Sequence, residues 1–239
     1  MEIGPGLGTL TEVLADRAHL VAAVEVDPGM RRVLAETLAD RANVVVVDAD
    51  ILRVDPHRLV SDAAGVAAAD TFKVVANLPY NITSAALRHV LEAQTKPSLA
   101  VVMVQREVAE RITAMPGALS ILGVSVQFYA RPTYIATVPA AAFYPRPKVD
   151  SAIVRLDVPT EPPVSVPDAG PFFRVVRAGF GQKRKQLRNS LASGLAVAPA
   201  TAAAVLTTAG IDPARRAETL SLGEWASLTT AVLDLDTRS

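Results

Sequence analysis

Glu2-Ile3-Gly4-Pro5-Gly6-Leu7-Gly8, leading through Thr9 into an amphipathic stretch over Leu10–Ala18, is the segment on which the reading of the whole chain turns. Three alternate glycines between a strand end and a helix start permit a tight turn and let backbone N–H groups approach a ligand. The following β-branched run, Leu20–Glu25, reads as a second strand and ends in an acid 21 residues after Gly4. A carboxylate there can accept hydrogen bonds from ribose hydroxyls. A nicotinamide dinucleotide and S-adenosyl-L-methionine both satisfy this pattern, so Gly4, Gly6, Gly8 and Glu25 are candidate cofactor residues without naming the cofactor. Only Met1-Glu2-Ile3 precedes the loop, whereas a central strand usually has about 5–6 residues. The chain is therefore expected to lack an N-terminal segment of a longer protein.

Outward from the loop, short apolar runs alternate with helical patterns. Val44–Val47, Lys73–Asn77, Leu99–Gln105, Val124–Tyr129 and Ala152–Leu156 read as further strands; Met30–Ala39, Ser84–Glu92 and Val108–Met115 read as helices. Such alternation predicts an α/β sheet with parallel pairing and helices on both faces. The run Val44-Val45-Val46-Val47 suggests a strand buried on both sides. Prolines 159, 162, 163, 167 and 171 then mark a change of texture. Beyond them Phe172–Ala178, Arg184–Ser193, Pro199–Thr208, Pro213–Leu220 and Leu222–Leu233 all read as helices, the last preceded by Ser221 and Glu224 in capping-box spacing. The expected organisation is an α/β domain over 1–158 and a small all-α domain over 159–239.

Asp48-Ala49-Asp50 follows the third strand, and Asp50 is the preferred acceptor for an adenine exocyclic amine, with a helix or turn cap as the alternative. Glu2 is placed to face the amino group of a methionine moiety.

Asn77-Leu78-Pro79-Tyr80 ends the Lys73–Asn77 strand, at the sheet edge where open α/β folds bind ligands. Adenine N6 is a poor nucleophile because its lone pair is delocalised into the ring. Two acceptors at its N–H groups favour a pyramidal, more nucleophilic nitrogen. The Asn77 side-chain oxygen supplies one, and a main-chain carbonyl of Leu78 or Pro79, stiffened by the proline ring, supplies the other. Tyr80 offers a ring face to a base taken out of its stack. A plain strand-to-turn junction with a packed tyrosine is the alternative. An NAD-dependent oxidoreductase has no use for this tetrapeptide, which therefore favours S-adenosyl-L-methionine.

Taken together, Glu2–Gly8, Asn77-Leu78-Pro79-Tyr80-Asn81-Ile82, Val104–Arg111 and Phe143-Tyr144-Pro145-Arg146-Pro147-Lys148-Val149-Asp150-Ser151 resemble the ribosomal RNA adenine N6,N6-dimethyltransferase family, over about residues 1 to 235. The chain is most similar to the small-subunit branch, which dimethylates two adjacent adenines near the 3′ end of 16S rRNA. The resemblance implies a Rossmann-like class I methyltransferase fold with a mostly parallel seven-stranded sheet. It assigns S-adenosyl-L-methionine binding to 1–158, with Glu2, Gly4, Gly6, Gly8, Glu25, Asp50 and Asn77 as cofactor residues. Tyr80 and Phe143 match the aromatic pair that sandwiches the target base. A family segment containing Gln-Asn-Phe, which helps close the methionine end of the cofactor, lies ahead of the point where this chain begins.

Lys+Arg and Asp+Glu number 24 each, so overall charge points to no partner, but Arg174, Arg177, Lys183, Arg184, Lys185 and Arg188 fall within 15 residues and no acid occurs from Ala169 to Gly210. Phe172, Phe173 and Phe180 are interleaved. This stretch is expected to contact RNA phosphates, the partner being small-subunit rRNA in a pre-30S particle. A solvated helix face is the alternative. Cysteine is absent, which excludes disulfides and Cys-based zinc sites. His19, His57 and His89 have no ligand spacing, so no metal is expected. No run of about 18 apolar residues and no signal-peptide pattern is present. A monomeric cytoplasmic enzyme is expected, with two alternatives: a large-subunit rRNA methyltransferase of the macrolide-resistance type, or a non-catalytic ribosome-assembly factor of the same fold.

Overall fold

A computed structural model describes residues 1–67, 69, 71–182 and 184–237. Five strands run parallel in the order β3 (Val44–Asp48), β2 (Val21–Glu25), β1 (Glu2–Ile3), β4 (Lys73–Asn77), β5 (Leu99–Gln105). Two antiparallel strands complete the seven-stranded sheet, with β7 (Ser151–Asp157) beside β5 and β6 (Arg131–Val138) at the edge. This is the mostly parallel seven-stranded sheet that the sequence resemblance implied. Strand order reverses at β1 and β4: the chain steps outward from β1 to β3 and then in the opposite sense from β4 to β5. Because parallel crossovers are right-handed, α1 (Thr9–Ala15) and α2 (Pro28–Thr37) cover one face, and α3 (Pro56–Ala64) and α4 (Thr83–Glu92) the other. The crevice at the carboxyl ends of β1 and β4 is the topological switch point, where ligands bind in such sheets.

Burial follows strand position. Both residues of β1 and all five of β2 are enclosed. The valine run of β3 lies at the sheet edge instead and is only half-buried, which corrects its reading as doubly covered. A second correction concerns Val124–Tyr129, which belongs to helix α6 (Ile121–Tyr129) rather than a strand. Apolar and polar residues alternate there as in a strand, but Gly123, Val124, Ser125, Val126 and Phe128 are all buried, so the helical period leaves no trace. Tertiary contacts select the helix. The Gln127 side chain donates to the carbonyls of Ile112 and Ala114 at 3.0 and 2.8 Å, at the end of α5 (Arg106–Ile112). A Cβ on Gly123 would stand 2.6 Å from the Arg111 carbonyl, so only glycine lets the two helices meet. The strand role passes to Arg131–Val138, whose Pro132 is tolerated because β6 is an edge strand.

Contacts divide the chain into two compact units, Met1–Ala109 with Tyr129–Thr160, and Glu110–Phe128 with Glu161–Ser239. A single cut near residue 158 thus misplaces Glu110–Phe128, which packs with the C-terminal helices. In this second unit Phe172 of α7 (Ala169–Phe180) packs against Phe128 with the rings tilted by 35° and their centroids 4.5 Å apart. Its other helices are α8 (Leu187–Leu195), α9 (Pro199–Thr208) and α10 (Leu222–Asp236). Pro213–Leu220 is not a helix beyond a single 3-10 turn at Ala217–Thr219. The carbonyls of Pro213 and Arg215 accept from Arg188 and Leu187, the opening N–H groups of α8, and so are unavailable to a helix of their own. The Ser221–Glu224 capping box forms as the spacing predicts, and Arg215 pairs with Glu224, holding its carboxyl below the ordinary range. Among the described residues no single helix is long and apolar enough to cross a membrane.

Candidate active site

The glycine loop and the tetrapeptide meet at the switch point. Gly4, Gly6 and Gly8 all have positive φ, at 66°, 58° and 88°, a region that favours residues without a Cβ. At Gly4 the backbone faces the Pro79 ring, whose Cδ and Cγ lie 3.5 Å from where a Cβ would be. At Gly6 the corresponding position meets nothing within 4 Å, so the loop presents bare backbone to open space.

Glu25 is buried at the end of β2 and binds the loop itself. One oxygen accepts from the Gly6 N–H at 3.3 Å and the other from the Asp27 N–H at 2.9 Å. Each carboxylate oxygen keeps capacity for a ribose hydroxyl. Asp27 caps α2 through the N–H groups of Gly29 and Met30, which hold its carboxyl below the ordinary carboxylate range. Arg31 ties the ends of β2 and β3 together, donating to the Val26 carbonyl at 2.9 Å and pairing with Asp48 at 2.8 Å. Asp50, the candidate adenine acceptor, caps the 3-10 turn Ile51–Arg53 by accepting from Leu52 N–H at 3.0 Å, and its second oxygen pairs with Arg53.

Glu2 has an unusual environment. It is 2 % exposed, and among the described residues its Oε2 has no hydrogen-bond partner. Burial pushes its carboxyl above the ordinary value, against the opposing influence of the nearby Thr11 hydroxyl and Met1 ammonium. These features test whether S-adenosyl-L-methionine fits. Glu2 and Glu25 are matched to donors, namely an ammonium and ribose hydroxyls. They are mismatched to a pyrophosphate, and the Gly6 N–H that would cradle one is already committed to Glu25. Val26 and Leu7, 63 and 64 % exposed, add apolar surface beside this edge. Sequence reasoning missed both, because an apolar residue in such a run is ordinarily core.

On the other side of Gly4, a cleft of about 250 Å³ is lined by Asn77, Leu78, Pro79, Tyr80, Phe143, Tyr144, Pro145 and Pro147. It lies just under the about 300–1,000 Å³ of drug-sized pockets, a scale suited to one base. Asn77 is exposed at the strand end. Leu78 is buried, and its N–H continues the ladder to the Met103 carbonyl at 3.0 Å, which fixes the peptide that follows. The sequence left two carbonyls as the second acceptor, and the hydrogen bonding separates them. Pro79 O already accepts from Ile82 N–H at 3.1 Å and the Thr83 hydroxyl at 3.0 Å. Among the described residues the Leu78 carbonyl receives none of the turn's backbone bonds. Tyr80 is 37 % exposed, its hydroxyl 2.8 Å from Ser151 Oγ. Phe143, 66 residues after Asn77, closes the other wall.

In the second unit Arg174, Arg177, Arg184, Lys185 and Arg188 are all exposed on or beside α7 and α8, and Arg174 pairs with Asp236; Lys183 lies outside the described residues. The interleaved aromatics turn inward: Phe172 packs on Phe128, and Phe180 stacks on the wholly buried Trp225. Phe172 is fully buried, whereas Phe173 and Phe180 are half-buried. His57 and His89 each bond a backbone carbonyl, of Ala69 and Val54, both at 2.7 Å.

The family described as "Ribosomal RNA adenine dimethylase" matches residues 1–233. The chain belongs to that family. It is an S-adenosyl-L-methionine-dependent rRNA adenine methyltransferase by that membership, in accord with the donor edge and base cleft described above. Relatives named ribosomal RNA small subunit methyltransferase A include one from Dehalococcoides mccartyi, 46 % identical over 95 % of this chain and 76 % of its own length. Another, from Pelotomaculum thermopropionicum, is 48 % identical over 98 % of this chain and 81 % of its own. Among solved structures, the 23S rRNA methyltransferase ErmE is 31 % identical with a TM-score of 0.73, covering 96 % of this chain and 88 % of its own. A dimethyladenosine transferase from Plasmodium falciparum, 23 % identical with a TM-score of 0.77 over 99 % of this chain and 89 % of its own, shares the fold.

Proposed function

We propose that this enzyme dimethylates N6 of two adjacent adenines near the 3′ end of small-subunit (16S) rRNA, acting in the cytoplasm as a monomer on a pre-30S particle. The base cleft carries the chemical part: Asn77, the Leu78 carbonyl, Tyr80 and Phe143 converge on a space of about 250 Å³. The choice of subunit rests on the small-subunit relatives at 46 and 48 % identity, against 31 % for the 23S enzyme.

The extruded adenine is held between Tyr80 and Phe143. The Asn77 side-chain oxygen and the Leu78 carbonyl accept from its two N6–H groups and draw the nitrogen lone pair out of conjugation. Bound S-adenosyl-L-methionine supplies an electrophilic methyl group on a sulfonium. The chain provides no strong base at the cleft and needs none, because the methylated nitrogen is acidic and its proton leaves to water. Alignment of the amine supplies most of the rate. After one transfer a single N6–H remains, and the second requires rebinding or rotation in the same cleft. Glu25 and the glycine loop hold the ribose, with Asp50 at the adenine and Glu2 at the methionine ammonium. Arg174, Arg177, Arg184, Lys185 and Arg188, together with Lys183, contact RNA phosphates.

The test is methyl transfer from labelled cofactor to purified small subunits lacking the modification and, in parallel, to protein-free large-subunit rRNA. Label in two adjacent small-subunit adenines is expected. Label only in the large-subunit RNA would establish the macrolide-resistance activity instead, and label in neither would favour an assembly factor.

A further inference from the structure

We propose that Asp150 and Ser151 form a positioning device that fixes the separation and tilt of Tyr80 and Phe143, the two walls of the base cleft. The inference rests on the base-holding role given to those aromatics above.

A stacking platform needs only a ring, and phenylalanine would serve. Position 80 carries a hydroxyl, and that hydroxyl lies 2.8 Å from Ser151 Oγ, 71 residues away in sequence. Tyr80 itself is 37 % exposed on a turn, whereas Ser151 is fully enclosed at the start of β7. Ser151 is registered against Gln105 on β5 and Val138 on β6, so its backbone is held from both sides. A buried hydroxyl requires a partner, and among the described residues Tyr80 provides it. The tyrosine ring is thereby pinned at both ends, by its own backbone after Pro79 and by the sheet at its hydroxyl.

The preceding residue acts on the other wall. Phe143 lies on the connection between β6 and β7, which also contains the cis Tyr144–Pro145 peptide. Asp150 closes that connection at its base, with Oδ1 accepting from the Ala140 N–H at 3.0 Å. Its backbone carbonyl accepts from the Arg106 N–H at 3.0 Å and its Oδ2 faces the Arg106 guanidinium at 3.3 Å, tying the loop to the end of β5. Successive residues of an extended chain point to opposite sides. One dipeptide therefore reaches the Phe143 loop with its first side chain and Tyr80 with its second, which couples the walls mechanically.

The experiment compares wild type with Ser151→Ala, Tyr80→Phe, their double variant and Asp150→Ala on small subunits. Each is scored for kcat, KM, cofactor affinity by calorimetry, and the fluorescence of 2-aminopurine placed at a target adenine. Tyr80→Phe and Ser151→Ala are each expected to lower kcat about 3–10-fold and to raise the 2-aminopurine signal as the base loosens, with cofactor affinity within about twofold of wild type. The double variant should be no worse than the worse single one, because both remove the same bond. Asp150→Ala should loosen the base in the same way. Wild-type kcat and base signal in Ser151→Ala and Tyr80→Phe would overturn the proposal, as would additive effects or a parallel loss of cofactor affinity. Should Ser151→Ala fail to fold, Tyr80→Phe decides alone. Methylation by the wild type is the control: its absence would defeat the functional reading itself, whereas wild-type-like variants beside an active parent defeat only the positioning role.

Discussion

The two sides of Gly4 are built on different principles. On the base side the polar groups that shape the walls are already bonded within the protein: Tyr80 to Ser151, Pro79 O to Ile82 and Thr83, Asp150 to Ala140 and Arg106. On the reading proposed above, Asn77 and the Leu78 carbonyl are left to accept from the target amine. On the donor side a buried carboxylate, Glu2, has an oxygen without a hydrogen-bond partner and a carboxyl pushed up by burial. A neutral, planar base is best held by a rigid slot. A cationic cofactor is better held by charge whose desolvation cost it offsets on binding. On the proposed reading, shape complementarity belongs to Tyr80 and Phe143, and electrostatic complementarity to Glu2 and Glu25.

Three substitutions test that contrast. The largest effect is expected from Asn77→Ala, which removes one of two acceptors for the reacting amine. The kcat for methyl transfer to small subunits should fall about 100–1,000-fold, by analogy with loss of a single transition-state hydrogen bond. A fall under about fivefold would remove Asn77 from the chemistry. Next, Phe143→Ala should cost about 5–150-fold in kcat/KM, the range for losing one stacking face, while calorimetry shows cofactor affinity unchanged. A matching loss of cofactor affinity would erase the division between the two sides.

The smallest effect is expected from Glu2→Gln, and it has opposite signs in two assays. A carboxyl raised in the folded state stabilises most below its ordinary value of 4.5 and loses that contribution as pH rises through the folded value. Ligand-free Glu2→Gln should therefore match wild type in melting temperature near pH 4 and exceed it increasingly toward neutral pH. Its affinity for S-adenosyl-L-methionine should nevertheless drop several-fold. A variant less stable than wild type at neutral pH would show that Glu2 has a structural partner and serves the core rather than the ligand.

Local spacing made much of the site legible. The glycine loop, Glu25 and Asn77–Tyr80 stand at strand ends because each follows directly on the run that builds its strand. Adjacent parallel strands then bring those ends together, as the partners Glu2↔Ala23 and Glu2↔Val75 show. Helix α3 was also legible and was missed: Asp55 caps it, Pro56 opens it and Gly65 at φ 66° closes it.

What the sequence determined by itself is whatever depends on neighbours a few residues apart: the strand–loop–helix order, the glycine turn, the Ser221 capping box and the acid at the end of β2. What only the tertiary structure decided depends on partners far away in the chain. Val124–Tyr129 is a helix because Gln127 and Gly123 fit against α5. Pro213–Leu220 is not one because its carbonyls serve α8. Phe172 and Phe180 face inward because Phe128 and Trp225 meet them there. The Pro79 carbonyl is occupied because the Thr83 hydroxyl and the Ile82 N–H reach it, and the Tyr80 hydroxyl meets Ser151. A hydrogen bond or a close-packed ring is specified by a pair of groups, and a pattern along the chain records only one member of that pair.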